Sequence, residues 1–106
     1  MRILCVCQKG NMRSVALAWL LKKEYKMDAL AMGVQTSSIT TKNMLYQWAD
    51  IIILTSNRYK KEIPREHRDK LKIWHVGTDK WFKGHPDDLV DMFRGFIKEE
   101  GVLCFQ

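Results

Sequence analysis

The sequence predicts an α/β protein in which a parallel sheet of four strands is covered by helices on both faces, a three-layer αβα arrangement. Two observations carry that reading. Short apolar runs alternate along the chain with longer segments of helical spacing, an order that builds parallel strands through right-handed crossovers. The most apolar run, Ile51-Ile52-Ile53-Leu54, is continuous rather than alternating, as a strand buried on both faces must be. With 106 residues, 46% of them hydrophobic, the chain has material for one domain over residues 1–106 and none for a separate cofactor domain.

The elements follow in order. Residues 2 to 7 (Arg-Ile-Leu-Cys-Val-Cys) make a first strand that ends in the polar loop Gln8-Lys9-Gly10-Asn11. Residues 12 to 25 are rich in Ala, Leu, Lys and Glu, with Leu17, Leu20 and Leu21 on one side and Lys22, Lys23 and Lys26 toward the end, which predicts a helix. Residues 29 to 32 form a second short strand stopped by Gly33. Residues 40 to 49 carry Met44, Leu45, Trp48 and Ala49 at helical spacing, behind the candidate caps Ser37, Ser38, Thr40 and Thr41, with Asp50 closing the helix. Residues 51 to 54 are then a central strand. A charged stretch from 58 to 70, interrupted by Pro64, leads into a last strand over 71 to 76 and a loop, Gly77-Thr78-Asp79-Lys80. Pro86, Asp87 and Asp88 open a final helix with Leu89, Met92, Phe93, Phe96 and Ile97 as its buried stripe. Trp19 and Trp48 are expected in the core.

Eighteen Lys and Arg against twelve Asp and Glu give a net charge of +6, which favours anionic partners. Three cysteines, Cys5, Cys7 and Cys104, argue against a disulfide framework and for a reduced, cytoplasmic setting. The apolar run over residues 3 to 7 is too short for a signal peptide or a membrane span. His67, His75 and His85 lack zinc-site spacing, so neither a metal nor a cofactor is expected.

In a parallel α/β sheet, ligands bind at the carboxyl ends of the strands. This singles out residues 7 to 13 and 77 to 82. The first loop reads Cys7-Gln8-Lys9-Gly10-Asn11-Met12-Arg13-Ser14. A cysteine where a strand ends and an arginine where a helix begins leave intervening amides free to curl into a nest aimed at the same point as the helix N-terminus. Gly10 allows a positive φ in mid-loop. That geometry makes a phosphate-binding loop after the first strand, formed by Gln8, Lys9, Gly10, Asn11, Met12, Arg13 and Ser14. The same positive field favours the thiolate form of Cys7, a nucleophile. Arg13 can grip two phosphoryl oxygens with its planar fork, and Ser14 can donate a hydrogen bond to the sulfur.

Over almost its whole length the chain resembles the low molecular weight protein tyrosine phosphatases. The resemblance rests on the Cys7–Ser14 loop after an N-terminal strand, the segment Trp48-Ala49-Asp50-Ile51-Ile52-Ile53-Leu54, and Asp79 followed two places later by Trp81. It implies catalysis by Cys7, Arg13 and Asp79, with Asp79 as the general acid, and Trp81 flanking the substrate at the entrance. The implied substrate is a phosphorylated protein or a small phosphomonoester, hydrolysed through a phosphocysteine. There are departures from the pattern. Met12 stands where the family often has a second loop cysteine, Gly10 where it often has a bracing asparagine, and Lys80 where a proline commonly follows the acid. The chain is also shorter than most members, so reduced substrate-selecting loops are expected.

Two other classes compete. A phosphocarrier similar to the IIB domains of sugar phosphotransferase systems shares the size and the strand-end cysteine, but needs neither Arg13 nor Asp79. A phosphate-binding module with little catalysis is the other. Arsenate reduction would require two further thiols in relay. The basic stretch from 58 to 72 suggests an RNA-binding surface, but its aromatic interleaving is limited to Tyr59, and a solvated face is the favoured reading. No membrane partner is expected, and the oligomeric state is left open.

Overall fold

The computed structural model describes residues 1–9, 12–76 and 86–100. Strand β1 (Arg2–Cys7) leads into helix α1 (Arg13–Tyr25), β2 (Asp28–Gly33), α2 (Ile39–Trp48) and β3 (Ile51–Leu54). Two 3-10 turns follow, Asn57–Glu62 and Arg65–Lys70, and then β4 (Leu71–Ile73) and α3 (Pro86–Glu100). All pairings are parallel and the strand order is β2-β1-β3-β4, so β1 and β3 are the two inner strands.

Alternation along these inner strands divides the core in two. Ile3, Cys5 and Ile53 face α1 and α3, meeting Leu17, Leu20, Leu21, Leu89, Phe93 and Ile97. Leu4, Val6, Ile52 and Leu54 face the other way, onto Tyr46 of α2 and onto Tyr59 and Ile63. Register sets Cys5 beside Ile53 and Leu4 beside Ile52, so equal faces stay aligned across the sheet. The predicted three-layer αβα sandwich with its four-stranded parallel sheet is therefore the fold observed. At the amino end of the sheet, Asp50 Oδ2 accepts a 2.8 Å hydrogen bond from the Arg2 backbone N–H. That bond, reinforced by the Arg2 side chain, holds the Asp50 carboxyl below the usual carboxylate range. Arg94 of α3 donates from Nε to Glu24 of α1 at 3.1 Å, joining the two helices on one face. Among the described residues no helix is long and apolar enough to cross a membrane.

Several local expectations are corrected. The last strand stops at Ile73 instead of running to Val76. Trp74 and Val76 still donate backbone bonds to Leu54 and Thr55, but β3 itself ends at Leu54 and offers no longer ladder. The charged stretch is two 3-10 turns broken at Pro64, which lacks a donor and keeps its neighbour out of the helical region. Trp19 is 48% exposed, because it lies about 200° around α1 from Leu17, with Lys23 Nζ 5.4 Å above its ring. Trp48 is half-buried beneath Arg2, and among the described residues the fully buried tryptophan is Trp74, stacked on Phe96 at 5.6 Å. On α3, Val90 joins the buried arc while Met92 is 37% exposed, since Met92 lies about 300° around the helix from Leu89 and off the arc that carries Phe93 and Ile97.

Candidate active site

Cys7 ends β1 on the face that carries Ile3 and Cys5, the side on which α1 packs, so the strand delivers its sulfur to the first turn of that helix. There the fully buried Ser14 places Oγ 3.1 Å from Cys7 Sγ. Either atom can donate in the neutral pair; toward a thiolate the hydroxyl must be the donor. The first turn of α1 holds no acidic residue and Met12 caps it without a side-chain hydrogen bond, so no carboxylate within that turn offsets the positive end of the helix. Cys5, two residues back, is a core thiol: burial, and then Cys7, push its pKa upward against a weaker pull from Lys22.

The start of the loop is held from outside. The N–H groups of Val34 and Gln35 donate to the carbonyls of Cys7 and Gln8 at 3.0 and 2.9 Å, and Thr36 Oγ1 donates to the carbonyl of Lys9 at 3.0 Å. In a trans peptide the N–H points opposite to the C=O, so turning these carbonyls toward residues 34–36 directs the amides of Gln8 and Lys9 to the other side. The bracing of the first part of this loop thus comes from the turn after β2. Gly10 and Asn11 lie outside the described residues.

Arg13 is 4% exposed, and its Nη2 donates a 3.0 Å hydrogen bond to the Tyr59 hydroxyl, with the guanidinium carbon 5.9 Å from that ring's centroid. Tyr59 belongs to the 3-10 turn after β3. Its neighbour Arg58 donates from Nη2 to Gln8 Oε1 at 3.0 Å and lies 5.5 Å from the same ring. Tyr59 therefore stands between two guanidiniums, one orienting at the helix N-terminus and one reaching the loop. Sequence reading treated Tyr59 only as an aromatic among basic residues; its position just beyond the carboxyl end of an inner strand was the signal that could have found it. Beside it opens a cavity of about 250 Å³ lined by Gln8, Val34, Gln35, Arg58, Tyr59, Lys61 and Glu62. That is smaller than the roughly 300–1,000 Å³ clefts that enclose drug-sized ligands, and it suits one side chain. Asp79, Lys80 and Trp81 lie outside the described residues; of the side chains expected to do chemistry, the structure pairs Cys7 with Ser14 and holds Arg13, the residue before Ser14, against Tyr59.

The architecture has counterparts among solved structures. The chain superposes on YwlE arginine phosphatase from Geobacillus stearothermophilus with a TM-score of 0.70 at 18% identity, covering 92% of this chain and 91% of that one. Against a low molecular weight protein tyrosine phosphatase from Bacillus subtilis the TM-score is 0.66 at 17% identity, with 92% and 95% covered. The fold is that of the low molecular weight phosphatases. The tyrosine phosphatase Wzb from Escherichia coli K30 shares it too, with a TM-score of 0.68 at 12% identity over 94% of this chain and 98% of that one. At the level of sequence, no family model and no curated protein matches.

Tyr59→Phe isolates the contact that sequence reading missed. A hydrogen bond to a charged group is worth about 1.5–3 kcal/mol, so loss of the hydroxyl is expected to weaken binding of inorganic phosphate by about tenfold or more. Titration calorimetry of both proteins checks this; equal affinities would show that Arg13 needs no support from Tyr59.

Proposed function

We propose that the protein is a cysteine-dependent phosphatase that hydrolyses phosphotyrosine or a similar phosphomonoester through a phosphocysteine. The observation that carries this reading is the pairing of Cys7 with Ser14 at 3.1 Å next to a buried Arg13 oriented by Tyr59 at 3.0 Å. A buried arginine at the far end of a strand-to-helix loop from a thiol is what in-line phosphoryl transfer requires, and a phosphocarrier has no such need.

In the first step the Cys7 thiolate attacks phosphorus, the S–P bond forms and the P–O bond to the leaving group breaks. Asp79 gives its proton to the departing oxygen, a role that rests on the family resemblance. Arg13 and the loop amides hold the equatorial oxygens while charge redistributes. In the second step Asp79, now a carboxylate, takes a proton from water as that water attacks the phosphocysteine. Inorganic phosphate leaves, and the returning thiolate is met by the Ser14 hydroxyl. Trp81 flanks the substrate ring. A structural neighbour described as an arginine phosphatase with a phosphorylated active-site serine supports a covalent intermediate on this fold. The activity of that neighbour also suggests a second reading, hydrolysis of phosphoarginine, in which a P–N bond is cleaved.

Turnover of p-nitrophenyl phosphate, phenyl phosphate and phosphoarginine tests the proposal. The wild type is expected to prefer the aryl esters. Asp79→Asn is expected to cost little with the good p-nitrophenolate leaving group and about a hundredfold or more with phenyl phosphate, where protonation matters. An undiminished rate on both esters would remove Asp79 from the mechanism, and phosphate transfer to a second protein without hydrolysis would favour a carrier.

A further inference from the structure

The cavity beside Gln8 shares a wall with a second, larger one. Arg58 and Lys61 line both, and the second, about 360 Å³, is completed by Asn57, Lys60 and Arg68. Of the five described residues that line it, four are cationic and none is acidic. Among the described residues no carboxylate pairs with Lys60, Lys61 or Arg68. Two of the guanidiniums are nevertheless held in place by neutral acceptors, Arg58 by Gln8 Oε1 at 3.0 Å and Arg68 by the Ile63 carbonyl at 3.2 Å. The carbonyl that anchors Arg68 orients its charge without cancelling it, so this wall, with Lys60 and Lys61, is organised to receive an anion. The 3-10 turn that carries Lys60 and Lys61 also carries Tyr59, which ties the wall to Arg13.

Charge of this kind fits either acidic side chains or a nucleic-acid backbone. Single-stranded nucleic acid is bound through exposed aromatic faces as well as phosphates, and the aromatic here, Tyr59, is 4% exposed and committed to Arg13. We propose that the second cavity is a specificity subsite for Asp or Glu side chains lying within a few positions of the phosphorylated residue in a protein substrate. This rests on the phosphatase reading and adds to it a substrate class, phosphoproteins with acidic flanks. Gln8, the residue after Cys7, lines the first cavity and accepts from Arg58, so the flanks of a segment seated at Cys7 lie beside the wall that Arg58 and Lys61 share with the second cavity.

The test compares two phosphotyrosine peptides of equal length, one flanked by Asp and Glu and one by Ala, with p-nitrophenyl phosphate as a substrate that has no flanks. The wild type is expected to show about a tenfold higher kcat/KM on the acidic peptide at low salt, with the preference fading in 0.5 M NaCl. In Lys60→Ala/Arg68→Ala, two exposed positions outside the Cys7 loop, the preference is expected to vanish while turnover of p-nitrophenyl phosphate stays unchanged. Equal kcat/KM on the two peptides in a wild type active on p-nitrophenyl phosphate would overturn the subsite alone. A wild type inert on every phosphomonoester would overturn the phosphatase reading and the subsite with it. Tight binding of a single-stranded oligonucleotide that the double substitution abolishes, without any peptide preference, would overturn the proposal in favour of a nucleic-acid surface.

Discussion

Cys7→Ser is expected to lower hydrolysis of p-nitrophenyl phosphate by roughly four orders of magnitude while leaving inorganic phosphate bound. The two side chains are close in shape, and Cys7 is only 2% exposed at the end of an inner strand, so the substitution keeps the packing that positions the loop. What changes is the nucleophile. A serine hydroxyl stays protonated at neutral pH, and Ser14, 3.1 Å away, stabilises a sulfur anion but is no base to remove a hydroxyl proton. The loop amides and Arg13 remain, so ground-state phosphate binding survives while turnover through a covalent intermediate becomes very slow, since serine is the weaker nucleophile and its phosphate ester the poorer leaving group. Acid quenching of the wild type during turnover is expected to trap stoichiometric phosphoprotein. Full activity of Cys7→Ser, or no trapped phosphate in a fast-turning wild type, would sink the covalent route.

Arg13→Lys is the second large effect, expected to reduce kcat by about 10²–10³, equivalent to about 2.7–4 kcal/mol of transition-state stabilisation. Charge is conserved in this substitution, so a pure Coulomb role would predict little change. Geometry is not conserved. The guanidinium can spend one N–H on the Tyr59 hydroxyl at 3.0 Å and still present others as a planar fork, whereas an ammonium is a point charge on a flexible stem. Arg13 is also 4% exposed, so a shorter reach cannot be compensated by water. Parallel measurement of kcat, KM and the thermal midpoint separates the catalytic loss from unfolding, and partial rescue of Arg13→Ala by added guanidinium is the expected signature. An Arg13→Lys enzyme as fast as the wild type would show that charge alone is used.

The parts of the site that could be read in the sequence are those made by neighbours along the chain. Cys7 and Ser14 are seven residues apart, and a strand ending at one and a helix beginning beside the other leave the loop little choice but to bring them together. The same locality made Leu17, Leu20 and Leu21 legible as a buried stripe, and put Ser38 among four candidate caps of α2; it is the one that caps, accepting from Thr41 N–H at 3.1 Å. Continuous apolarity at Ile51–Leu54 announced a strand with two covered faces, because nothing else satisfies four such side chains in succession.

What the chain alone could not announce depends on which strands are neighbours and how far around a helix a side chain sits. Tyr59 meets Arg13 across 46 residues only because β3 lies beside β1 and its following turn lands next to the loop. Trp19 and Trp74 carry the same apolar signal, yet one projects from α1 into solvent and the other is sealed between the end of β4 and α3, a difference that packing direction decides. The turn at 34–36 holds the Cys7 loop because β2 pairs in register with β1 through Cys7 and Gly33. Local pattern thus determined an αβα sandwich in which Cys7 ends the first strand and Ser14 stands in the first turn of the helix that follows. Tertiary structure alone placed Tyr59 behind Arg13, residues 34–36 behind the loop and a basic cavity beside it, since each joins segments whose meeting is set by sheet order rather than by spacing in the chain.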